Sequence, residues 1–550
     1  MKGKEIVNVF EALKTNRATL DTQLQDIQRF VVPFRGEFFN DTSIEQSQDW
    51  FRVNYYDTTA SVSANLLASQ MMGNVTSPIN QWFEIQFRGN ELDDDQPANE
   101  WLESVNNIAW QTVQQSNFDT AAPEMYLDTA SFGTAIMTME DVDDLTWKGV
   151  TFNTMPLMDC YFQAGPDGLP YLIVRLLRYT QNELENTFDL PDSLKEKNVK
   201  DKDVTPDVDV LYCVYKEPAN SMKKPILAPK LRPTQFRYVH RSTGKELKKK
   251  GMASPEGGFY DYPGMTIRWQ KVAGARWGYS PALTMMSNIR QLNTMQYMMS
   301  EAWAKAIDPP MKATELAVVG DLDNIPGGLT ITTDVNALQP LYPATNFNVG
   351  WEGIDRAQQQ VREGFFVDKL ELPDQRQMTA YEVQVRYERM LRLLAPTLGR
   401  LKTDFLMPVV MGIYYRLERM KQLPEMPESV MDAELDIEFT GPLPRAMKGE
   451  IGDQMERWLM GIIQQSQDPR LGANLDIVDF DAYNIEMAKM RGVPAKTIRD
   501  EDDVTAIRES RAEQEKAMQQ TALMQEAGKA AQEVGKGGEA MQQAGMEQEA

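Results

Sequence analysis

Apolar side chains recur every three or four residues in several long stretches of the chain, which is the spacing of one face of an α-helix. The first stretch ends before Pro33, and its one polar step is Arg17. Its apolar positions are Ile6, Phe10, Leu13, Leu20, Leu24, Ile27 and Val31. The spacing predicts a long surface helix that packs on one face and that Pro33 ends.

A second amphipathic helix is predicted between the threonine pair at 58 and 59 and the Ser77-Pro78 dipeptide. Either Thr58 or Thr59 can cap it, because a hydroxyl at this position accepts a backbone N–H bond. Pro78 forbids its continuation through Ser77. Its apolar side is predicted to consist of Val62, Leu66 and Met71.

From Ala135 to about Val272 the pattern changes to short runs of β-branched and aromatic residues. These runs are separated by Pro-Asp-Gly, Ser-Thr-Gly and Pro-Glu-Gly-Gly turns. Such spacing predicts a β-rich region. The two cysteines of the chain, Cys160 and Cys213, fall within it and are expected to be small, buried strand residues. Two cysteines exclude a disulfide scaffold and a cysteine-rich zinc site.

Ser280 and Pro281 provide a cap and a first turn for a further helix, which Asp308-Pro309-Pro310 ends. Another helix is predicted from about Trp351 to Leu370, with Ile354, Ala357, Val361 and Phe365 on one side. Prolines and glycines around two apolar stretches fill positions 309–350 between the two helices. The pattern predicts two helical rods with a small αβ insertion at their junction.

A long helical stretch is predicted from Thr379 to Gln422, kinked or divided at Pro396 and Pro408. Further helices are predicted at 445–465 and 483–491. From Val504 onward the composition shifts to Gln, Ala, Glu and Met. This last segment favours helix but has too few apolar residues to fold alone. Its last part, Gly535 to Ala550, is equally compatible with a frayed or disordered tail.

The chain has 550 residues, which the usual domain size divides into roughly three or four regions. Its 57 basic and 80 acidic residues give a net charge of −23, which argues against a protein that neutralises DNA phosphates over its whole surface. The first residues do not have a signal-peptide pattern, and the longest apolar run, Leu406 to Tyr415, is too short to span a bilayer. We expect a soluble protein made in a cytoplasm, without a membrane partner.

Candidate chemistry is sparse. His240, the single histidine, would be the only possible imidazole base, and the chain has no G-x-x-x-x-G-K-[ST] motif. Asp141, Asp143 and Asp144, or the cluster from Asp500 to Asp503, could bind Mg²⁺ as in nucleases, although loop solubility is the better interpretation. We predict no enzyme activity, no cofactor and no metal. Because the phosphate-binding motif is missing, any ATP hydrolysis that the protein depends on would have to come from a partner.

The segment from Asn54 to Phe83, NYYDTTASVSANLLASQMMGNVTSPINQWF, resembles the segment that marks portal proteins, the head-to-tail connectors of short-tailed bacteriophages. Shorter portal-like pieces follow in the order typical of that family. They are Phe132–Ala135, Trp277–Pro281, Asp308–Met311, Met378–Val383 and Leu398–Leu401.

This resemblance implies an α+β, mainly α, portal fold that assembles as a ring. Residues 1–279 would form the wing, with its β-rich part at about 135–272, and the stem helices would span 280–308 and 351–372. The clip would span 309–350, the tunnel loop 373–379, and a long kinked helix with the wing return 380–444. Residues 445–503 would form the crown, and 504–550 a barrel helix or disordered tail.

The resemblance also implies a function: a dodecameric channel at one capsid vertex of a podovirus, through which double-stranded viral DNA is packaged and ejected. The implied partners are eleven further copies, the terminase motor, the major capsid and scaffolding proteins, and the tail adaptor and nozzle proteins. The protein would be assembled in the host cytoplasm, would nucleate capsid assembly, and would end in the virion at the head-tail junction. A metal-dependent nucleic-acid enzyme of the packaging machinery and a different ring-forming virion adaptor are the alternatives.

Basic residues on the stem and tunnel loop are the candidates for sequence-independent contact with DNA phosphates. They are Arg376, Lys369, Arg362, Arg356 and Lys305. The tunnel loop itself would consist of Pro373, Asp374, Gln375, Arg376, Gln377 and Met378. Because the chain is acidic, a ring of it would guide DNA without gripping it. Inter-subunit salt bridges are the alternative role for each basic residue.

Overall fold

The computed structural model describes most of the chain up to position 520. The described residues are 1–35, 54–89, 95–143, 146–166, 168–191, 194, 208–217, 228–252, 254–313, 331, 334, 336, 338–341, 347–367, 395–431, 433–440, 442–466, 476–491, 493, 497, 499, 504–518 and 520. The chain divides into two compact units. The first comprises Met1–Gln86, Val105–Pro424 and Ile437–Arg445, and the second comprises Phe87–Ser104, Glu425–Asp436 and Ala446–Ala550.

Helices and small sheets together make a mixed fold in which helix predominates, as predicted. The helices are α1 (Gly3–Phe30), α2 (Thr59–Val75), α3 (Gln96–Gln115), α4 (Phe118–Phe132), α5 (Gln181–Thr187), α6 (Pro281–Ile307), α7 (Phe347–Gly364), α8 (Met407–Arg419), α9 (Pro442–Ser466) and α10 (Phe480–Arg491). The strands are β1 (Glu84–Phe87), β2 (Thr134–Asp141), β3 (Val150–Met155), β4 (Cys160–Ala164), β5 (Pro170–Tyr179), β6 (Phe188–Asp189), β7 (Val208–Lys216), β8 (Thr234–His240), β9 (Glu246–Lys249), β10 (Glu256–Phe259), β11 (Gly264–Arg268), β12 (Met311–Ala313), β13 (Leu338–Pro340) and β14 (Leu435–Glu438).

The β-rich region consists chiefly of two sheets. The larger has the order β4-β5-β7-β8-β9-β6, with β10 paired to β8, and the smaller has the order β11-β2-β3. One face of the larger sheet packs on the apolar stripe of α1, where Ile6 and Phe10 meet Val174 and Leu211 in one core. The predicted β-rich region is confirmed. Cys160 and Cys213 are buried, unpaired strand residues, as expected.

Helix α1 confirms the predicted stripe but assigns a different role to Arg17. This side chain is fully buried and forms an ion pair with Asp21 at 2.6 Å. Its guanidinium donates to the backbone oxygens of Leu157, Met158 and Cys160 at 2.6–2.8 Å. The polar step in the stripe is thus a buried anchor between α1 and the turn before β4, since a buried charge needs such partners.

Helix α2 corrects two predictions about its sequence. Neither Thr58 nor Thr59 caps it through a side chain: Asp57 Oδ1 instead accepts the Thr59 N–H at 2.9 Å. Val62 is 62% exposed, whereas the buried face consists of Ala60, Ser63, Ala64, Leu67, Ala68 and Met71. This face is mostly small residues, which allow a close approach to α4, so its signal in the sequence is weak.

The two predicted rods are confirmed as α6 and α7. Ser280 Oγ accepts the Leu283 N–H at 2.9 Å, so the predicted cap is present. Helix α7 begins at Phe347 rather than near Trp351, and Ile354, Val361 and Phe365 are buried, as the pattern indicated. Within 309–350 the described residues include the antiparallel pair of β12 and β13.

Pro408 does not divide the helix that contains it. Residues 395–419 are helical throughout, and the π-helical segment Lys402–Leu406 lies just before Met407 and Pro408. The Met407 N–H donates to Lys402 O, the five-residue spacing of a π-turn. The wider turn shifts the bonding register ahead of the proline, which has no N–H of its own.

The second unit contains the helices predicted at 445–465 and 483–491. They are observed as α9 and α10, and residues 504–518 also form a helix. Arg508 on this last helix forms a bidentate pair with Asp481 of α10 at 2.6 and 2.7 Å. The helical part of the predicted C-terminal segment is therefore confirmed as far as Met518; residues 521–550 lie outside the described part.

Candidate functional site: the α6–α7 hairpin

Helices α6 and α7 form an antiparallel hairpin whose contact surface pairs methionines with glycines. A side-chain carbon on Gly353 would lie 2.9 Å from Met295 Cε, and one on Gly364 would lie 2.7 Å from Met285 Cε. A side-chain carbon on Gly350 would lie closer still to Met299 Cε. The Trp303 and Trp351 rings, 5.1 Å apart, lie towards the end of the hairpin where β12 begins. Glycine lets the helices approach, and the unbranched methionines fill the space.

The segment Asn54–Asp57 crosses both helices of this hairpin. The Tyr56 and Asp57 N–H groups donate to Asn293 Oδ1 at 2.8 and 3.3 Å, and Asn293 Nδ2 donates to Asn54 O at 3.0 Å. Asp57 Oδ2 accepts from Gln358 Nε2 of α7 at 3.0 Å. Asp57 therefore caps α2 with one oxygen and holds α7 with the other.

These polar contacts were not predicted from the sequence. The signal for Asp57 was its place just before a helix, where a carboxylate commonly caps. Asn293 and Gln358 carried no signal, because their partner is more than two hundred residues away along the chain.

The structure describes three of the five predicted DNA-contacting residues. Lys305 lies 3.9 Å from Glu301, and both side chains are at least half exposed, so this pair is weak. Arg356 and Arg362 are exposed on α7, and within the described part of the chain neither forms an ion pair or hydrogen bond. They lie about 120° apart around the helix and so face different directions.

The other predicted site residues lie outside the described part of the chain. These are Lys369, Arg376 and the whole predicted tunnel loop, Pro373, Asp374, Gln375, Gln377 and Met378. Their contact with DNA stays a prediction.

The acidic cluster near Asp141 is neutralised by arginines. Asp141 pairs with Arg416 at 2.7 Å and with Arg419 at 2.8 Å, and Asp261 pairs with Arg419 at 3.2 Å. Asp143 pairs with Lys148 at 2.8 Å. Asp144 and Asp500–Asp503 lie outside the described residues. Within the described part of the chain, no group of three or more carboxylate, histidine or cysteine side chains could hold a metal ion.

His240 ends strand β8, as its sequence context indicated. Its Nδ1 lies 3.2 Å from Ser242 Oγ and 3.1 Å from Thr243 Oγ1 in the following turn. Partial burial lowers its pKa below the ordinary value. Its observed contacts are with the hydroxyl groups of a turn.

These features are those of a structural protein: a helical hairpin is held by the segment before α2, and Asp141, Asp143 and Asp261 are paired with basic side chains. Among the described residues, no helix is both long and apolar enough to cross a membrane. The chain belongs to the bacteriophage head to tail connecting protein family, whose profile matches residues 3–498. Members of this family connect head and tail structurally, so the protein is a connector and not an enzyme.

Two relatives cover nearly the whole chain. The probable portal protein of Bordetella phage BPP-1 is 24% identical over 549 residues, which is 97% of this chain and 95% of the relative. The portal protein of Salmonella phage epsilon15 is 26% identical over 529 residues, 94% of this chain and 93% of the relative. Both relatives bear the name that the sequence motifs pointed to.

Proposed function

We propose that the protein is the portal subunit of a short-tailed phage: twelve copies form a ring at one capsid vertex, through which viral DNA is packaged and later ejected. The observation that supports this most strongly is the match to head-to-tail connectors along residues 3–498. The α6–α7 hairpin supports it as well, because two packed helices with one exposed side suit the wall of a channel. The same ring nucleates capsid assembly and joins the head to the tail.

The regions take the roles that the motifs implied. The wing comprises 1–279, the stem 280–308 and 351–372, and the clip 309–350. The tunnel loop comprises 373–379, and 380–444 returns to the wing. Residues 445–503 form the crown, and 504–550 form a barrel helix or a disordered tail.

Basic residues of the stem and tunnel loop contact the DNA backbone without reading its bases. Arg362 supports this role, because its guanidinium is exposed and has no partner among the residues that the structure describes. Lys369 and Arg376 are the corresponding candidates beyond α7. Isolated cations in an acidic channel give weak, salt-sensitive contact, which lets DNA slide.

The remaining partners follow from position in the virion. The clip meets the terminase motor during packaging and the tail adaptor and nozzle proteins afterwards. The wing meets the major capsid and scaffolding proteins. Assembly takes place in the host cytoplasm.

Negative-stain electron microscopy together with native mass spectrometry of the purified protein tests this proposal. Rings with a central hole and a mass near twelve subunits support it. A stable monomer or dimer at every salt concentration would overturn the ring. Incubation of the same preparation with DNA and Mg²⁺ tests the nuclease alternative, which predicts cleavage, whereas the connector predicts intact DNA.

A further inference from the structure

Each helix of the α6–α7 hairpin carries one exposed row of side chains with the same spacing. The α6 row consists of Thr294, Met298, Glu301 and Lys305, all exposed. The α7 row consists of Glu352, Arg356, Gln359 and Glu363, all exposed. Successive members are four, three and four residues apart in both rows, so each row forms one stripe about 60° wide along its helix.

Both rows face away from the contact between α6 and α7. The centre of the α6 row lies about 130° around the helix from Met299, which packs on α7, and about 110° from Asn293. The centre of the α7 row lies about 110° from Gly364 and about 130° from Gln358. Each row therefore lies on a side of its helix that is exposed among the described residues.

Placed antiparallel, the two rows are complementary in charge. The facing pairs are Lys305 with Glu352, Glu301 with Arg356, Met298 with Gln359, and Thr294 with Glu363. Two pairs are of opposite charge and none is of like charge. Met298, which is 62% exposed, gains apolar cover from the stem of Gln359.

Other alignments lose this complementarity. A shift of one heptad in one direction sets Glu352 against Met298 and Arg356 against Thr294, which removes both ion pairs. The opposite shift sets Glu301 against Glu363, which repel each other. The matched alignment is thus the favourable one of the three.

We propose that the α6 row of one copy packs on the α7 row of a second copy, with Glu301–Arg356 and Lys305–Glu352 as ion pairs between subunits. This inference rests on the proposed ring. The contact joins two different surfaces, the type of interface that closes into a ring when repeated by rotation. It assigns Arg356 and Lys305 to the neighbouring subunit and leaves Arg362 to the channel.

The alignment also sets the inclination of the hairpin. Within one chain Met299 lies beside Gly350. Relative to that pair, Glu301 lies two residues further along α6 and Arg356 lies six residues further along α7. Because the helices are antiparallel, the two offsets add, and the neighbouring hairpin is displaced along the helix axis by about 12 Å at 1.5 Å per residue. The hairpin is two helices wide, roughly 20 Å. A displacement of about 12 Å across this width corresponds to a tilt of about 30° from the ring axis.

Charge exchange tests the contact. We expect Arg356→Glu alone, and Glu301→Arg alone, to lower the fraction of subunits in rings at least about tenfold, because close interfacial charge pairs couple by more than about 1.4 kcal/mol. The double variant should recover wild-type rings. Arg362→Glu is the matched control and should assemble normally. Unchanged rings in both single variants, or a double variant no better than the single ones, would overturn the contact.

A crosslink tests the same contact without relying on charge. The native Cys160 and Cys213 are buried, and burial raises the pKa of each thiol to about 12, so they react little with oxidants. Cysteines placed together at 301 and 356 should join neighbouring chains into a ladder on a non-reducing gel, and cysteines at 301 and 362 should not. If the wild type forms rings but the 301/356 variant gives only monomer on the gel, this contact alone is refuted. If the wild type itself forms no rings, the proposed function is refuted.

Discussion

Asp57 and Gln358 meet at 3.0 Å, although one precedes α2 and the other lies in the middle of α7. The carboxylate accepts from the Gln358 amide with Oδ2 and from the Thr59 N–H with Oδ1. Gln296 Nε2 of α6 lies 3.5 Å from Oδ2. One side chain thus holds the start of α2 against both helices of the hairpin.

Replacing Asp57 should loosen this joint. Asp57→Ala removes a helix cap and a charge-assisted hydrogen bond, together worth about 2 kcal/mol. We expect a lower thermal midpoint and faster amide hydrogen exchange in α6 and α7. Asp57→Asn, which keeps an oxygen for the cap, should show a smaller change. Identical exchange in the alanine variant and the wild type would contradict the role of Asp57.

The same substitution should have opposite signs at two helical glycines. Gly364→Ala places a carbon 2.8 Å from Met285 Sδ and 2.7 Å from its Cε, so we expect a loss of about 1 to 3 kcal/mol from overpacking. Gly73→Ala in α2 meets nothing within 4 Å and should gain about 1 kcal/mol from helix propensity. Thermal unfolding of the two variants beside the wild type measures both. A stabilising Gly364→Ala would show that the hairpin is not tightly packed.

Two neighbouring aspartates should differ sharply in their importance for stability. Asp141→Ala leaves Arg416, which is buried, without its closest carboxylate, and we expect a loss of about 3 kcal/mol. Asp143→Ala removes exposed loop contacts, among them the pair with Lys148, 60% of whose side chain is exposed, and the hydrogen bond from Thr146, and should change stability by less than about 1 kcal/mol. Urea unfolding measures the difference. Stabilisation of the wild type by Mg²⁺, lost in both variants, would instead indicate a metal site.

Asp21 should give stability a pH dependence of unusual sign. Burial raises its pKa to about 6, against about 3.9 in an unfolded chain, even though Arg17 is adjacent. Between these values the folded state binds more protons than the unfolded state, so this contribution to stability falls as the pH rises from about 4 to about 6.

Asp21→Asn removes that titration. The thermal midpoint of the variant minus that of the wild type should therefore be larger at about pH 7.5 than at about pH 4. Glu11→Gln, which removes an exposed carboxylate from the same helix, is the control. A difference between the variant and the wild type that is equal at both pH values would contradict the raised pKa.

Local signals in the sequence predicted local structure well. Ser280 and Pro281 marked the start of α6, and the apolar stripe of α1 correctly predicted a helix that packs on one face. The face of α2 was predicted only in part: Met71 is buried as predicted, but Val62 is exposed, and alanines, a leucine and a serine make most of the contact. Close packing selects small side chains there, and hydrophobicity alone does not reveal them.

Long-range partners could not be predicted from the chain pattern. Arg17 looked like a gap in a stripe, because its acceptors are backbone oxygens near Leu157, which no side-chain pattern encodes. For the hairpin, the sequence placed Arg356 and Arg362 on a helix, which is confirmed, and the structure adds that both are exposed. The direction each faces in a ring depends on other copies, which a single sequence does not specify.

The Asp57–Gln358 bond also bears on the order of events during synthesis. Its two residues are 301 positions apart. At about 5 to 20 residues per second, Gln358 is made roughly 15 to 60 s after Asp57. Throughout that interval the start of α2 has no hairpin to hold, so we expect a nascent chain halted before Gln358 to leave this segment open to proteases. The joint between the start of α2 and the hairpin is thus a late step in the folding of the chain.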